Sequence, residues 1–251
     1  LPIDSEHSAI HQAMHVGPPE SAARIVLTAS GGPFRTWSAE RMATATIDDA
    51  LAHPTWRMGR KISIDSATMM NKGFEVIEAH HLFGLPCARI DVVVHPQSLV
   101  HSLVEYSDGS TIAQLGPNTM RQPILYALAW PERINSPEPS LDLTATGTLS
   151  FEPLDEARFP AVGLARSAIE AGGELPVVLN AANEIAVERF LDGRCPFGDI
   201  IATVQTTLDR WSSGSQIIEN FDHVRAIDAE ARTIAAGLGN DRAWKVGSEK
   251  R

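Results

Sequence analysis

The stretch NKGFEVIEAHHLF, residues 71–83, decides the fold because it places a helix directly before a series of strands. Its pattern is helical, and Gly84 predicts where the helix ends. Three apolar runs follow at 90–95, 99–106 and 110–115, and an Asp-Gly turn joins the last two as a hairpin. A helix that leads into strands in this way indicates a domain that combines both kinds of element.

The segments on either side extend this domain. An earlier apolar run at 24–30 predicts another buried strand, and helices are expected near 47–52 and 119–130. Residues 131–155 contain four prolines and many small polar residues, which predicts a linker.

The rest of the chain has a helical pattern throughout. Helices are expected near 158–171, 177–192, 197–212 and 223–238. We therefore predict an α/β (α+β) domain with a mixed sheet over 1–130, followed by a C-terminal α-helical bundle domain over 156–251.

The composition limits the classes of function. Of 251 residues, 43% are apolar and 21% are charged, which is typical of a globular protein. The formal net charge of −10 argues against nucleic-acid binding. The sequence contains no run of roughly 18 apolar residues that could span a membrane, so no membrane partner is expected. Cys87 and Cys195 are expected to be free thiols, which suits the cytoplasm.

Three carboxylates suggest a metal site. Asp4 and Glu6 are two residues apart, and in an extended segment both would face the same side. Exposed pairs of this kind are common, and solvation is the ordinary explanation. Glu75, on the predicted helix, adds a third carboxylate, and three together suit a hard cation such as Mg²⁺ or Mn²⁺.

An anion-binding group is expected beside these carboxylates. Asn71 and Lys72 open the helix, where free backbone N–H groups and the helix dipole favour phosphate. Ser66 and Ser30 would add hydroxyl groups. The alternatives are a helix cap for Ser66, a surface charge for Lys72 and a turn residue for Ser30.

Residues 53–60 are expected to form an irregular loop. His53, Trp56 and Met58 would close over a ligand as a lid that excludes water, and the equal alternative is an anchored surface loop. The sequence has no glycine-rich dinucleotide fingerprint and no phosphate-loop motif, so it indicates no dinucleotide-binding domain of its own.

Six motifs together resemble one family. They are LPIDSEH (1–7), SGGPFR (30–35), HPTWRMGRKISIDSATMMNKGFEVIEA (53–79), HPQSLVHS (95–102), AQLG (113–116) and LNAANE (179–184). The sequence resembles 1-deoxy-D-xylulose 5-phosphate reductoisomerases. That family rearranges 1-deoxy-D-xylulose 5-phosphate and reduces the product with NADPH to 2-C-methyl-D-erythritol 4-phosphate, in non-mevalonate isoprenoid biosynthesis.

The resemblance implies a role for each matching residue. The implied metal ligands are Asp4, Glu6 and Glu75. The implied substrate-binding residues are Ser5, Ser30, His53, Trp56, Met58, Ser66, Asn71, Lys72 and His101. Those implied in catalysis are Glu6, Lys72 and His53, with Glu78 flanking the site. Those implied near the nicotinamide cofactor are Gly59 and Met120.

The resemblance also implies the cofactors and partners. They are Mn²⁺ or Mg²⁺, with Co²⁺ possible in the family, NADPH, a sugar-phosphate substrate and a second copy in a homodimer. The family places its NADPH domain before the LPIDSEH motif, so we expect this chain to be part of a longer protein and inactive in reduction alone. The alternatives are a metal-dependent sugar-phosphate isomerase or lyase without nicotinamide, and an inactive dimeric fragment.

Overall fold

The fold is built on a five-stranded mixed sheet with helices around it. The computed structural model describes residues 1–56, 58–212 and 217–238. Within these ranges the strands are β1 Ala22–Ala29, β2 Ile90–Val94, β3 Val100–Tyr106, β4 Thr111–Leu115 and β5 Glu152–Pro153. Their order is β4-β3-β1-β2-β5, with β1 and β2 parallel and the other neighbours antiparallel. The mixed sheet predicted from the sequence is confirmed.

α-Helices occur throughout the described chain, six of them before residue 130 and five after it. Those in the first part of the chain are α1 Ser5–Met14, α2 Ala39–Ala43, α3 Ile47–Leu51, α4 Arg60–Thr68, α5 Met70–Phe83 and α6 Arg121–Ala129. Those in the second part are α7 Leu143–Thr146, α8 Ala161–Ala171, α9 Leu175–Leu191, α10 Asp199–Arg210 and α11 Phe221–Gly237. No described helix is both long enough and apolar enough to cross a lipid bilayer.

Alternation along β1 explains which face of the sheet is covered. Ile25 and Leu27 are fully buried against the helices. Arg24 points to the opposite face, where its guanidinium pairs with Asp91 at 2.5 Å and with Glu105 at 2.6 Å. Successive side chains on a strand face opposite sides, so one face of the sheet builds the core and the other carries charge.

The second part of the chain packs closely on the first. Gly73 of α5 faces α8, and a Cβ at Gly73 would lie 3.1 Å from the Cβ of Ala165. Buried residues of α8, α9 and α10 join the cluster that also contains Ile25 and Leu27. The core is therefore continuous across the segment predicted as a linker, and the domain boundaries at 131–155 remain a prediction.

Three local expectations from the sequence differ from the structure. Residues 4–6 are not extended, because Asp4 caps α1 and Glu6 lies in its first turn. Residues 60–68 form helix α4, so Ser66 lies inside a helix rather than before one. The segment 131–155 contains α7 and strand β5, which pairs with β2. The part of the predicted bundle domain at 239–251 lies outside the described residues.

Candidate metal and anion site

A cavity of about 350 Å³ lies beside the carboxyl ends of the parallel strands β1 and β2. Ligands commonly bind at that edge of a parallel sheet, where strands give way to loops. The cavity is lined by the start of α1, the end of β1, the loop before α4, helices α4 and α5, and the start of β3. One cavity thus collects residues from widely separated parts of the chain.

The start of α1 supplies the first carboxylates. The side chain of Asp4 accepts hydrogen bonds from the backbone N–H groups of Glu6 and His7, at 3.0 and 3.4 Å. Aspartate is a favoured helix cap, because its oxygen pairs with donors that the first turn leaves free. Ser5 donates its hydroxyl hydrogen to the Glu6 carboxylate. Capping by Asp4 therefore brings the polar side chains of Asp4, Ser5 and Glu6 together at the start of α1.

Helices α4 and α5 join through one residue, and this junction supplies most of the anion-binding candidates. Met69 has a left-handed conformation, with φ of 63°, and is buried. A methionine with positive φ is uncommon, and such conformations are concentrated at functional sites. The sharp turn places Ser66 of α4 and Asn71 and Lys72 of α5 along the same cavity.

The carboxylates of Asp4, Glu6 and Glu75 meet in this cavity. One oxygen from each lies within 4.8 Å of the others. The Lys72 ammonium donates to Glu6 at 3.0 Å and to Glu75 at 2.5 Å. Asn71 donates to the second oxygen of Glu75 at 2.6 Å. The cluster therefore has three carboxylates for one buried ammonium.

The pKa values of two carboxyl groups in the cluster are raised, first by burial and then by the neighbouring negative charge. Burial, and then the charge of Glu6, raises the pKa of Asp4 to about 6 and raises the pKa of Glu75 well above its usual range. Burial also opposes ionisation of Glu6, but Lys72 and the Ser5 hydroxyl outweigh it and lower the pKa of Glu6 to about 2. Two of the carboxyl groups thus lack a sufficient positive partner.

A divalent cation fits this donor set. Oxygen ligands from carboxylates are those that Mg²⁺ and Mn²⁺ prefer. A positive ion near Asp4 and Glu75 would favour their ionised forms, against the burial and the charge of Glu6 that raise their pKa values. The carboxylates would then bind the ion, and Lys72 would be available to a ligand.

A buried histidine supports the carboxylates from behind. The Nδ1 atom of His7 lies 3.4 Å from Asp4 and 3.5 Å from Glu78, and its Nε2 atom lies 3.0 Å from the backbone oxygen of Glu75. His7 is 1% exposed. It connects α1 to α5, and it brings Glu78 next to the cluster from outside the cavity.

The loop before α4 is held to β1 by His53. The Nδ1 atom of His53 accepts hydrogen bonds from the backbone N–H groups of Thr55 and Trp56, at 3.2 and 2.8 Å. An accepting Nδ1 leaves the proton on Nε2, which lies 3.0 Å from the hydroxyl of Ser30. Burial lowers the pKa of His53, which favours this neutral form. Met58 and Trp56 line the cavity beside it.

The loop after β1 passes very close to α4. Gly32 has φ of 64°, and a Cβ there would lie 2.6 Å from the backbone oxygen of Ser66. The hydroxyl of Ser30 accepts a hydrogen bond from the backbone N–H of Gly32 at 3.2 Å. A residue without a side chain is therefore required at position 32, because both the backbone conformation and the contact exclude a Cβ.

The cavity collects nearly all of the residues singled out from the sequence. Those lining it are Asp4, Ser5, Glu6, Ser30, His53, Trp56, Met58, Ser66, Asn71, Lys72, Glu75, His101 and Met120. Gly59 does not line it and instead precedes α4 as its N-cap. Glu78 is likewise not part of the lining.

The sequence reasoning missed several lining residues, which are Thr28, Ala29, Gly31, Ile62, Met69 and Ser98. Ser98 has φ of 54°, a further non-glycine residue in the left-handed region. Its position between strands β2 and β3 was the available signal, because loops at sheet ends often carry functional groups.

Two family models match the chain. One, described as the 1-deoxy-D-xylulose 5-phosphate reductoisomerase C-terminal domain, matches residues 1–83, and the other, described as the DXP reductoisomerase C-terminal domain, matches residues 115–234.

Two curated relatives carry the name 1-deoxy-D-xylulose 5-phosphate reductoisomerase. The protein of Caulobacter vibrioides is 56% identical over 240 residues, and that of Rhodospirillum centenum is 55% identical over 245 residues. The matches cover 94% and 96% of this chain. The chain spans 60% of the length of each relative.

Solved structures agree with these matches. The reductoisomerase from Zymomonas mobilis, in complex with NADPH, is 50% identical with a TM-score of 0.90, and the match covers 96% of this chain and 62% of that one. A DOX-P reductoisomerase in complex with NADPH, fosmidomycin and magnesium is 43% identical with a TM-score of 0.88, covering 96% and 63%.

Fold and site together define an α/β protein with a cluster of three carboxylates in a polar cavity. The matches make the assignment more specific. The chain belongs to the 1-deoxy-D-xylulose 5-phosphate reductoisomerase family.

Proposed function

We propose that this chain supplies the metal and substrate site of an NADPH-dependent 1-deoxy-D-xylulose 5-phosphate reductoisomerase. The observation that carries the proposal is the convergence of Asp4, Glu6 and Glu75 with Asn71 and Lys72 in one cavity. A three-carboxylate cluster suits a divalent cation, and the neighbouring amide, ammonium and hydroxyl groups suit a phosphorylated ligand. The names of the relatives support the reaction.

The metal ligands we propose are Asp4, Glu6 and Glu75. A bound Mg²⁺ or Mn²⁺, with Co²⁺ as a further candidate, would act as a Lewis acid on neighbouring oxygen atoms of the substrate. Magnesium occurs in related solved structures, which supports this choice of ion. Ser5, which donates to Glu6, would exchange that partner for a substrate oxygen.

The phosphate contacts we propose are Ser30, Ser66, Asn71 and Lys72. All four line the cavity, and together they would hold the phosphate, which is a part of the substrate remote from its reacting carbons. Binding energy from such a remote group can be used to orient the reacting part of the molecule. Lys72 is the group that would move most, because its ammonium now lies between Glu6 and Glu75.

His53, Trp56, Met58 and His101 complete the proposed substrate site. The Nε2–H of neutral His53 faces Ser30 and is placed to donate to a ligand oxygen there. Trp56 and Met58 would exclude water when the loop closes, which protects an aldehyde intermediate. His101, which is 6% exposed, has a pKa lowered by burial, so it would contact the substrate as a neutral ring.

We propose that NADPH approaches the cavity past Met120. Met120 lines the cavity and is 39% exposed, which makes its side chain accessible from outside. Gly59 remains a candidate cofactor contact at the start of α4. The main NADPH-binding surface is proposed to lie in the part of the relatives that this chain does not span, and the complexes with NADPH support this cofactor.

A homodimer in the cytoplasm is the proposed assembly and location. Ile124 and Leu128 of α6 are 40% and 82% exposed, and apolar residues exposed on one helix support contact with a second copy. We also propose that the chain alone does not reduce the substrate.

Calorimetric binding of 1-deoxy-D-xylulose 5-phosphate, with and without Mn²⁺, tests the proposal. Binding that requires Mn²⁺ is the expected result, since the metal and phosphate contacts lie in this chain. Turnover to a different product without nicotinamide would favour a metal-dependent isomerase or lyase instead. Absence of binding in both conditions would contradict the proposed site or leave only an inactive dimeric fragment.

A further inference from the structure

Asn183 is a buried polar residue far along the chain that the proposed site does not use. It lies in α9, within the LNAANE motif, and is 0% exposed. Its Nδ2 atom donates a hydrogen bond of 2.7 Å to the Oδ1 atom of Asp65. Asp65 belongs to α4 and is itself 2% exposed. A polar contact between two fully buried side chains therefore joins the C-terminal helices to the helix that carries Ser66.

The same carboxylate is held from a second direction. The Lys61 ammonium donates to the other oxygen of Asp65 at 2.8 Å, and it lies 4.9 Å from the centre of the Phe74 ring. Phe74 belongs to α5 and packs against a group of buried apolar residues that includes Met70 and Leu179. Both oxygens of Asp65 are thus engaged, and α4, α5 and α9 meet at this carboxylate.

Ser66 is the next residue after Asp65, and it is the polar residue of α4 that lines the cavity. Neighbouring residues on a helix point about 100° apart, so fixing Asp65 also fixes the direction of Ser66. The backbone oxygen of Ser66 already lies against Gly32 on its other side. Asn183 therefore acts on an element that has little freedom to shift without altering the cavity.

The hydrogen bond between Asn183 and Asp65 is not explained by stability alone. The Oδ1 atom of Asn183 is buried and has no hydrogen-bond partner among the described residues. A buried acceptor without a partner lowers stability, whereas an apolar pair of the same shape would not carry that cost. The residues beside Asn183 in α9 include buried Ala182 and Ala186, so the surroundings are suited to apolar packing.

We propose that Asn183 is a positioning residue for the anion site. Through Asp65, it sets the position of Ser66 and so the affinity of the cavity for the phosphate group of a sugar phosphate. This inference rests on the proposed function, because it takes Ser66 as a phosphate contact.

The test compares three variants of the chain by calorimetry. Asn183→Leu removes the hydrogen bond and keeps a side chain that branches at Cγ. The double variant Asp65→Asn with Asn183→Asp exchanges the two partners and keeps a hydrogen bond between them. Thr207→Val is the matched control, because Thr207 is also 0% exposed and its hydroxyl bonds within α10. Each variant is titrated with Mn²⁺ alone, and with 1-deoxy-D-xylulose 5-phosphate in the presence of Mn²⁺.

The expected result is selective. Asn183→Leu should weaken sugar-phosphate binding on the order of tenfold, since small misplacements of binding groups are costly, and should leave Mn²⁺ affinity unchanged. The exchanged pair should recover most of the loss, and Thr207→Val should bind like the unchanged protein. Amide hydrogen exchange should speed up in residues 60–68 of Asn183→Leu more than in α10.

Equal sugar-phosphate affinity in Asn183→Leu and the unchanged protein would overturn the inference and leave the proposed function intact. Equal losses of Mn²⁺ and sugar-phosphate affinity would also overturn it, because they would indicate general damage to the fold. If the unchanged protein binds no sugar phosphate, the proposed function is wrong and this inference falls with it.

Discussion

Two charge clusters, one in the cavity between helices and one on the outer face of the sheet, have similar members and opposite surroundings. Lys72 meets Glu6 and Glu75 in the cavity and is 5% exposed, whereas Arg24 meets Asp91 and Glu105 on the outer face and is 44% exposed. In the cavity, burial raises the pKa of Glu75, while on the outer face the Arg24 hydrogen bond lowers the pKa of Glu105. Water solvates the carboxylates of the outer cluster. The carboxylates of the inner cluster are shielded from water, so a further positive charge would stabilise them.

The largest expected effect follows from removing one inner carboxylate. Glu75→Gln should weaken Mn²⁺ binding by about 100-fold or more, because an anionic ligand is lost from a site with few ligands. The same change should raise the melting temperature of the metal-free protein, because it removes a buried carboxyl group whose pKa is raised. Calorimetry and thermal unfolding measure the two effects. Glu105→Gln on the outer face is the control, and equal metal affinity in both variants would remove Glu75 from the metal site.

The next effect separates metal binding in the cavity from phosphate binding. Lys72→Met should weaken binding of 1-deoxy-D-xylulose 5-phosphate by about tenfold or more, since a charge-assisted contact to phosphate is lost. Mn²⁺ affinity should stay the same or rise, because the ammonium no longer competes for Glu6 and Glu75. Calorimetry with each ligand measures both. A parallel loss of metal and sugar-phosphate affinity would show that Lys72 serves the metal site rather than the phosphate.

A smaller effect concerns the loop before α4, which lines the cavity. Burial lowers the pKa of His53 from its usual value of 6.5, so the neutral ring is favoured in the folded state. Its contribution to stability is therefore present above pH 6.5 and is lost as the pH falls through the folded pKa. Protonation also places a hydrogen on Nδ1, which breaks the contacts with Thr55 and Trp56. Histidine NMR, with His53→Gln for assignment, should show a titration midpoint below 6.5; a midpoint above that value would contradict the buried, accepting ring.

The smallest effect is expected on the outer face. Arg24→Ala should lower the free energy of unfolding by less than about 1 kcal/mol, because exposed ion pairs contribute little. The loss should shrink further as salt concentration rises. Denaturant unfolding at low and high salt measures it, and sugar-phosphate binding should not change. A loss of several kcal/mol would mean that burial does not separate the two clusters as described.

Much of the fold could be predicted because its patterns are local. The helix at 71–83 and the strands that follow it have clear periodicity, and the structure confirms them as α5, β2, β3 and β4. The extended conformation predicted for residues 4–6 was wrong, because the capping by Asp4 decides the conformation there. Helix α4 was missed because Lys61 and Asp65 interrupt its apolar pattern. The two side chains pair with each other within the helix, and Asp65 is also held by the distant Asn183.

The candidate site was more accessible to sequence reasoning than its supports were. The carboxylates and the residues around Lys72 carry chemistry in their side chains, so their residue types alone mark them as candidates. Met69 and Ser98 contribute through backbone conformation instead, which their side chains do not signal. Asn183 donates a hydrogen bond to Asp65, which is 118 residues away in sequence. Contacts of that kind depend on the packing of α9 against α4 and have no local pattern.

The contact between Gly32 and Ser66 has a consequence for how this protein can vary. Every single-nucleotide change that replaces a glycine adds a side chain, and at position 32 its first carbon would lie 2.6 Å from a backbone oxygen. The backbone of α4 is the obstacle, so shortening a neighbouring side chain would not make room. Any single substitution of Gly32 should therefore lower the stability of the protein. Variation around the cavity should begin instead at positions such as Met58 or Met120, whose flexible side chains line it.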